Sequence, residues 1–186
     1  MNSAEPAWFI AECIAGNEAA IESFVRGYEA GVFRLALSIT SDPADAHEIT
    51  QETFIAALRS LHSYQERKSF KAWLYTIALN QSRSHLRKRK VFERLRSAST
   101  VLFRLEVQKQ TSPEDTVIQS EKEAAIWSAL GKLDERHRIV VILRYFQELP
   151  VSEISEILNV NEGTIHSRLN TARERLRDAL KSLHGD

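Results

Sequence analysis

The stretch VSEISEILNVNEGTIHSRLNTARERLR, residues 151–177, has the pattern of two helices joined by a tight turn. Ile154 and Ile157 recur at helical spacing and give the first helix an apolar face. Asn159 suits the left-handed conformation that ends a helix, and the side-chain oxygen of Asn161 can cap the next helix. The stretch therefore predicts a helix-turn-helix.

The second of these helices has two contrasting faces. Its apolar stripe, spaced alternately by four and three, consists of Ile165, Leu169, Ala172, Leu176 and Leu180. The opposite face carries short polar side chains flanked by arginines, which suits a helix in the major groove of DNA. The candidate DNA contacts are Thr164, His166, Ser167, Arg168, Asn170, Thr171 and Arg173. A solvated basic helix is the alternative, but turn, caps and arginines together favour DNA.

A second basic helix is predicted over residues 68–90, and one stripe of it combines aromatic, amide and cationic side chains. The stripe consists of Trp73, Thr76, Asn80, Arg83 and Arg87. Because aromatic rings stack on unpaired bases and arginines follow the backbone, the stripe favours single-stranded or opened nucleic acid. The preceding polar loop, residues 61–69, includes Tyr64 and could trap a flipped base. A solvated basic helix with a core tryptophan is the alternative.

An acidic helix is predicted over residues 43–61, and one of its faces mixes polar residues with a single apolar one. That face contains Glu48, Gln51, Glu52, Ile55 and Arg59. Ile55 on a polar face suggests a protein interface, although exposed single apolar residues are also common on ordinary surfaces.

Charge is segregated along the 186 residues, although 25 basic side chains balance 25 acidic ones. Residues 1–62 carry 3 basic and 9 acidic side chains, and residues 63–109 carry 12 and 3. Residues 110–162 carry 5 and 10, and residues 163–186 carry 5 and 3. The alternation suggests two modules, each with an acidic and a basic surface, able to hold a protein and a polyanion at once.

The distribution of helix breakers predicts an all-α fold of two small helical domains joined by a linker, with the helix-turn-helix in the second. Only 6 glycines and 4 prolines occur, and no segment alternates with a period of two. The predicted domains are residues 1–90 and 114–186, and residues 91–113 form the linker. The predicted helices cover residues 6–15, 17–39, 43–61, 68–90, 114–130, 134–147, 150–158 and 161–183.

The sequence predicts neither catalysis nor a cofactor. It has no glycine-rich phosphate loop, and its six histidines lack metal-ligand spacing with one another or with Cys13. A lone cysteine fits a reducing cytosol, and residues 1–6 do not begin a secretory signal. We therefore expect a cytoplasmic protein without catalytic residues or a bound metal.

Three motifs, in order along the chain, carry a family resemblance. They are TQETF at residues 50–54, FKAWLYTIALN at residues 70–80, and GTIHSRL at residues 163–169 followed by Ala172-Arg173 and Leu176-Arg177. With these motifs in register from about Phe24 to Leu180, the chain resembles bacterial RNA polymerase sigma factors of the extracytoplasmic-function class.

The resemblance implies a promoter-specific transcription initiation factor with core RNA polymerase and promoter DNA as partners, and with an anti-sigma protein as an inhibitor. Its first domain would hold polymerase through Glu48, Gln51, Glu52 and Ile55. The same domain would bind the melted minus-ten element through Tyr64, Trp73, Thr76, Asn80, Arg83 and Arg87. Its second domain would read the minus-thirty-five element through Thr164, His166, Ser167, Arg168, Asn170, Thr171 and Arg173.

The chain also departs from the family pattern. His47-Glu48-Ile49-Thr50 replaces the usual Glu-Asp-Leu-Val, Ser84 replaces a frequent aspartate, and His166 and Thr171 stand where the family commonly has Lys or Arg. Loss of two cations from the reading helix should weaken nonspecific attraction to phosphates. These departures bear on which promoter sequence is read and not on the activity itself.

Two other functional classes fit parts of the sequence. A stand-alone helix-turn-helix regulator would need only residues 111–186, and a helical partner-sequestering protein would bind no DNA. A sigma factor would direct promoter-specific transcription only when core polymerase is present, and this dependence distinguishes it from both classes.

Overall fold

The computed structural model describes residues 7–64, 69–99 and 121–183, and within these ranges the regular structure is entirely helical. The helices are α1 Ala7–Ile14, α2 Glu18–Thr40, α3 Pro43–Ser60, a 3₁₀ turn Leu61–Ser63, α4 Phe70–Ser99, α5 Glu121–Gly131, α6 Glu135–Val141 with a π-helical turn Ile142–Phe146, α7 Val151–Leu158 and α8 Glu162–Leu183. The all-α prediction is confirmed.

Side-chain caps determine where α2 and α3 begin. Asn17 Oδ1 accepts hydrogen bonds from the backbone N–H groups of residues 19 and 20 at 3.0 and 3.3 Å. Asp42 Oδ1 does the same for residues 44 and 45 at 2.9 and 3.2 Å, and Pro43 occupies the first turn, where its missing N–H is not needed. Ser41, at φ 56°, ends α2 in the left-handed conformation.

The first module packs α2, α3 and α4 around an aromatic cluster. Phe24 lies at its centre, with ring centroids 5.3 Å from Phe54 and 5.5 Å from Phe70 in edge-on geometry. All three rings are buried. Burial of these three aromatic side chains stabilises the bundle and holds α2 against both α3 and α4.

The second module packs α5 to α8 around the apolar face of the helix-turn-helix. Ile154 of α7 and Ile165, Leu169 and Ala172 of α8 are almost fully buried. The spacing-based assignment of the core stripe is therefore confirmed for these residues, and the opposite side of α8 is left to solvent.

The predicted end of the fourth helix is wrong, because α4 continues from residue 90 to Ser99, into the segment expected to be the linker. Residues 88–99 contain neither glycine nor proline, and Arg89 Nε bonds Glu93 Oε1 one turn later at 3.1 Å. Good helix formers and this ion pair extend the helix. The remainder of the linker, with its apolar cluster at residues 101–105, lies outside the described residues.

None of the described helices has both the length and the apolar character needed to cross a bilayer.

Candidate nucleic-acid and polymerase interfaces

The turn between α7 and α8 has the capping geometry that the sequence predicts. Asn159 adopts the left-handed conformation at φ 52°, and its N–H bonds the carbonyl of Glu156 at 3.2 Å. Asn161 Oδ1 accepts from the backbone N–H of Thr164 at 2.8 Å and from its hydroxyl at 2.7 Å. These bonds end α7 and cap the start of α8, so the turn between the two helices has a defined geometry.

Of the seven candidate DNA contacts on α8, Ser167, Asn170 and Thr171 lie opposite the core stripe, and the other four lie along its flanks. The exposed members are His166, Ser167, Asn170 and Arg173, and the half-buried ones are Thr164, Arg168 and Thr171. Short polar groups and guanidinium groups thus occur together on one accessible surface, as reading of base edges in a major groove requires.

Arg173 is held by two hydrogen bonds within its own module. Its Nε donates to Tyr145 Oη at 2.8 Å, and one terminal nitrogen donates to Asn170 Oδ1 at 3.0 Å. Tyr145 is half exposed and lies in the π-helical turn after α6. Sequence reasoning missed Tyr145, because the contact joins residues 28 positions apart.

A neighbouring arginine, Arg175, forms an ion pair with an acidic residue of the same module. Arg175 bonds Asp134 at 3.2 Å, and Asp134 also caps α6 through the backbone N–H of His137 at 3.2 Å. Although burial pushes the pKa of Asp134 upward, the side-chain and backbone hydrogen bonds from His137 hold it below its ordinary value. Asp134 therefore stays ionised at neutral pH and keeps Arg175 at the edge of α8.

The stripe on α4 places a half-buried tryptophan beside exposed polar groups. Trp73 lies with its ring centroid 5.4 Å from Tyr64 and 5.3 Å from Phe70, while Asn80 and Arg83 are exposed. Thr76 is half-buried and its hydroxyl donates to the carbonyl of residue 72 at 2.8 Å, whereas Arg87 is exposed. One end of the stripe is thus an aromatic platform and the other is cationic. Residues 65–68 of the adjoining loop lie outside the described residues.

The polar face of α3 keeps its predicted exposure. Glu48, Gln51 and Ile55 are exposed and Glu52 is half-buried, with Ile55 half exposed in spite of its apolar side chain. Two basic residues of α4 hold α3 through its first turn: Asp45 bonds His85 Nε2 at 3.1 Å and also pairs with Arg89.

Buried hydrogen bonds join the two modules, which sequence reasoning also missed. Gln147, only 6% exposed, follows the π-helical turn; its Oε1 accepts from the hydroxyl of Tyr75 on α4. Its Nε2 donates to the carbonyl of Gly31 on α2 at 3.5 Å, and its own carbonyl accepts from Lys71 Nζ at 3.4 Å. Burial raises the pKa of Tyr75, so its hydroxyl remains a donor throughout the neutral range.

Gly31 is required at this contact between the modules. A Cβ at that position would lie 2.3 Å from Tyr75 Oη and 2.6 Å from Gln147 Oε1. Both of those side chains are buried and hydrogen-bonded to each other, so neither can move away cheaply.

The described residues contain no cluster of three or more histidine, cysteine, aspartate or glutamate side chains suited to a metal ion.

Two family models match the chain in the order of its modules. Residues 24–91 match sigma-70 region 2, and residues 129–178 match sigma-70 region 4. The first match covers the α2–α4 bundle and the second covers the helix-turn-helix, and this tandem defines a sigma-70-type initiation factor.

Curated relatives narrow the class further. The chain is 31% identical to the ECF RNA polymerase sigma factor SigW of Bacillus subtilis, covering 90% of this chain and 92% of the relative. It is 28% identical to the RNA polymerase sigma-H factor of Pseudomonas aeruginosa, covering 90% of each. The sigma factor RpoE of Bartonella quintana, solved in complex with the anti-sigma factor NepR, aligns with a TM-score of 0.65 at 26% identity, covering 86% of this chain and 96% of that one.

The chain belongs to the extracytoplasmic-function family of RNA polymerase sigma factors. It therefore binds core RNA polymerase and directs promoter-specific transcription initiation.

Proposed function

We propose that this sigma factor reads the minus-thirty-five element as duplex DNA through α8 and captures the melted minus-ten strand on α4. This division is supported by the different chemistry of the two basic helices, α8 and α4. The accessible face of α8 combines short polar groups with arginines on a capped helix-turn-helix, whereas α4 combines an aromatic platform with an exposed asparagine and arginines. The former suits paired bases and the latter suits unpaired ones.

Trp73 would act as the stacking platform for the opened strand. Its ring is fixed by Tyr64 and Phe70 but remains partly exposed, so stacking would not require the ring to be ordered first. Asn80 and Arg83 follow along the same stripe and can bind a base edge and a backbone phosphate. Binding of captured bases would offset the cost of unpairing them.

The exposed face of α3 would hold core polymerase. Glu48, Gln51 and Glu52 surround Ile55, which gives a small apolar centre with a polar rim, as is typical of protein interfaces.

Domain boundaries at residues 1–90 and 114–186 are part of the same proposal, with α4 extending beyond the first boundary.

The contact between the modules bears on how the chain can bind both promoter elements at once. The two elements are centred about 25 base pairs apart, which is about 85 Å of duplex at 3.4 Å per base pair. Buried hydrogen bonds between Tyr75, Gln147 and Gly31 keep the modules in direct contact. Simultaneous binding of both elements would therefore require the modules to separate, so we propose that this contact belongs to a closed state of the chain.

We also assign a protein inhibitor, a cytoplasmic location and no catalytic activity to this chain. RpoE of Bartonella quintana is bound by an anti-sigma factor, and the two chains share their fold over most of their length. Sigma factors are non-enzymatic initiation factors, and nucleotidyl transfer belongs to the polymerase.

The division between duplex and opened strand can be tested on one promoter fragment with holoenzyme assembled from the full chain. Asn170→Ala with Arg173→Ala should weaken duplex binding, whereas Trp73→Ala should leave initial binding nearly intact and reduce permanganate reactivity of thymines in the minus-ten element. Trp8→Ala, at an exposed ring on α1, is the matched tryptophan control. Equal loss of binding and opening in the Trp73 variant would contradict strand capture.

A further inference from the structure

Tyr145 lies in the π-helical turn Ile142–Phe146, outside the helix-turn-helix and the stripe on α4. It is one of the large apolar side chains that remain exposed, at 50%, in the described part of the chain. Its hydroxyl accepts from Arg173 Nε at 2.8 Å, within the normal range for a hydrogen bond.

We propose that Tyr145 is a positioning residue for minus-thirty-five recognition, fixing the Arg173 guanidinium on the reading face of α8. The inference rests on the proposed role of α8. Arginine has several rotatable bonds, and a solvent-exposed arginine would otherwise sample many rotamers. Bonds from Nε to Tyr145 and from a terminal nitrogen to Asn170 restrain the group at two points.

This restraint leaves the guanidinium able to bind DNA. An arginine side chain has five N–H donors, and the two bonds engage two of them. The others are available for the acceptors of a guanine edge, the contact that arginine makes most often in a major groove. Because the side chain is ordered before DNA arrives, less conformational entropy is lost on binding.

The π-helical turn explains why Tyr145 reaches α8. The segment Ile142–Phe146 departs from the α-helical repeat, ending with a bond from the N–H of Gln147 to the carbonyl of Ile142 at 3.1 Å. A π-helical turn holds more residues than an α-helical one, so the side chains within it are spaced differently around the helix axis. In this register Leu143 is buried and Tyr145 projects to the surface beside Arg173.

The first test measures positioning without DNA. In ¹⁵N-labelled full-length chain, hydrogen exchange at the Arg173 Nε–H should become several-fold faster in Tyr145→Phe, which keeps the ring and removes only the acceptor. Unchanged exchange would overturn the proposal. This readout does not depend on α8 binding a promoter, so it is separate from the proposed function.

The second test is a double-mutant cycle in promoter binding by holoenzyme, on a duplex selected from a randomised library with the wild-type protein. Tyr145→Phe should weaken binding about fivefold, which corresponds to about 1 kcal/mol. Added to Arg173→Ala, it should cause no further loss, whereas added to Arg168→Ala it should act independently. Equal additive losses in both backgrounds would overturn positioning through Arg173. If Arg173→Ala alone has no effect, the proposed role of Arg173 in reading fails, and the exchange measurement alone decides the contact.

Discussion

Replacing Gly31 by alanine should open the molecule without unfolding its parts. The new Cβ would lie 2.3 Å from Tyr75 Oη and 2.6 Å from Gln147 Oε1, distances at which one side chain must shift. Overpacking of a close-packed site costs about 1–3 kcal/mol. If Tyr75 and Gln147 separate, two buried polar groups lose their bond, at about 1–3 kcal/mol more. Together these costs amount to about 2–6 kcal/mol, and even the lower end would shift the closed-to-open equilibrium by about thirtyfold.

The helix itself should not suffer from this substitution. Alanine in a helix interior is favoured over glycine by about 1 kcal/mol, and because α2 stays helical in the open form, this gain cancels from the opening equilibrium. Gly27→Ala on the same helix is the matched control, since nothing lies within 4 Å of its added Cβ. It should stabilise the chain slightly and leave the modules closed.

The assay is fluorescence energy transfer between dyes on cysteines placed at two exposed positions, Arg59 on α3 and Glu174 on α8, in a Cys13→Ala background. Transfer should fall in Gly31→Ala and stay at the parental level in Gly27→Ala, with helical circular dichroism unchanged in both. Equal transfer in the two variants would refute the closed contact as described. Loss of helical signal in Gly31→Ala would show that the site supports the fold of α2 itself.

Three further predictions concern the binding surfaces. Trp73→Ala should cost about 1–3 kcal/mol in promoter opening, the usual contribution of one stacked base, while Trp73→Phe should retain part of it in a permanganate footprint; a full effect of Phe would argue against stacking. Gln51→Ala with Ile55→Ala should lower core polymerase recovery in a quantitative pull-down, and undiminished recovery, matching the exposed α2 control Glu22→Ala, would remove α3 from that interface. His166→Lys with Thr171→Arg should steepen the salt dependence of nonspecific duplex binding by up to about 1.8 in the log–log slope, at about 0.9 for each phosphate contacted. An unchanged slope would place both positions away from the phosphates.

The spacing of apolar residues and the capping residues were sufficient to predict the helices and turns that local interactions determine. The apolar spacing of Ile165, Leu169 and Ala172 gave the buried face of α8, and the asparagines at 159 and 161 gave the limits of the turn. The continuation of α4 to Ser99 was missed because the linker assignment rested on the apolar residues at 101–107, which follow neither the helical nor the strand period. The helical propensity of residues 88–99 and the Arg89–Glu93 pair were the available signal.

Contacts that depend on tertiary packing could not be predicted in the same way. Tyr75 and Gln147 are 72 residues apart, and each has a plausible role in its own helix or loop. Tyr145 contacts Arg173 from within a π-helical turn at the end of α6, which periodicity does not reveal. The residues that hold the modules together and fix Arg173 therefore emerged only from the three-dimensional structure.

The proposed roles of α8, which reads the upstream element as duplex, and of α4, which captures the opened minus-ten strand, can be separated in one experiment. That experiment is reconstituted transcription with core polymerase over a promoter library randomised in both elements. Sequencing of the transcribed promoters should show that Asn170→Ala with Arg173→Ala changes base preference only in the minus-thirty-five element, and that Asn80→Ala changes it only in the minus-ten element. Changes in the opposite element, or unchanged preferences with both variants, would contradict the account.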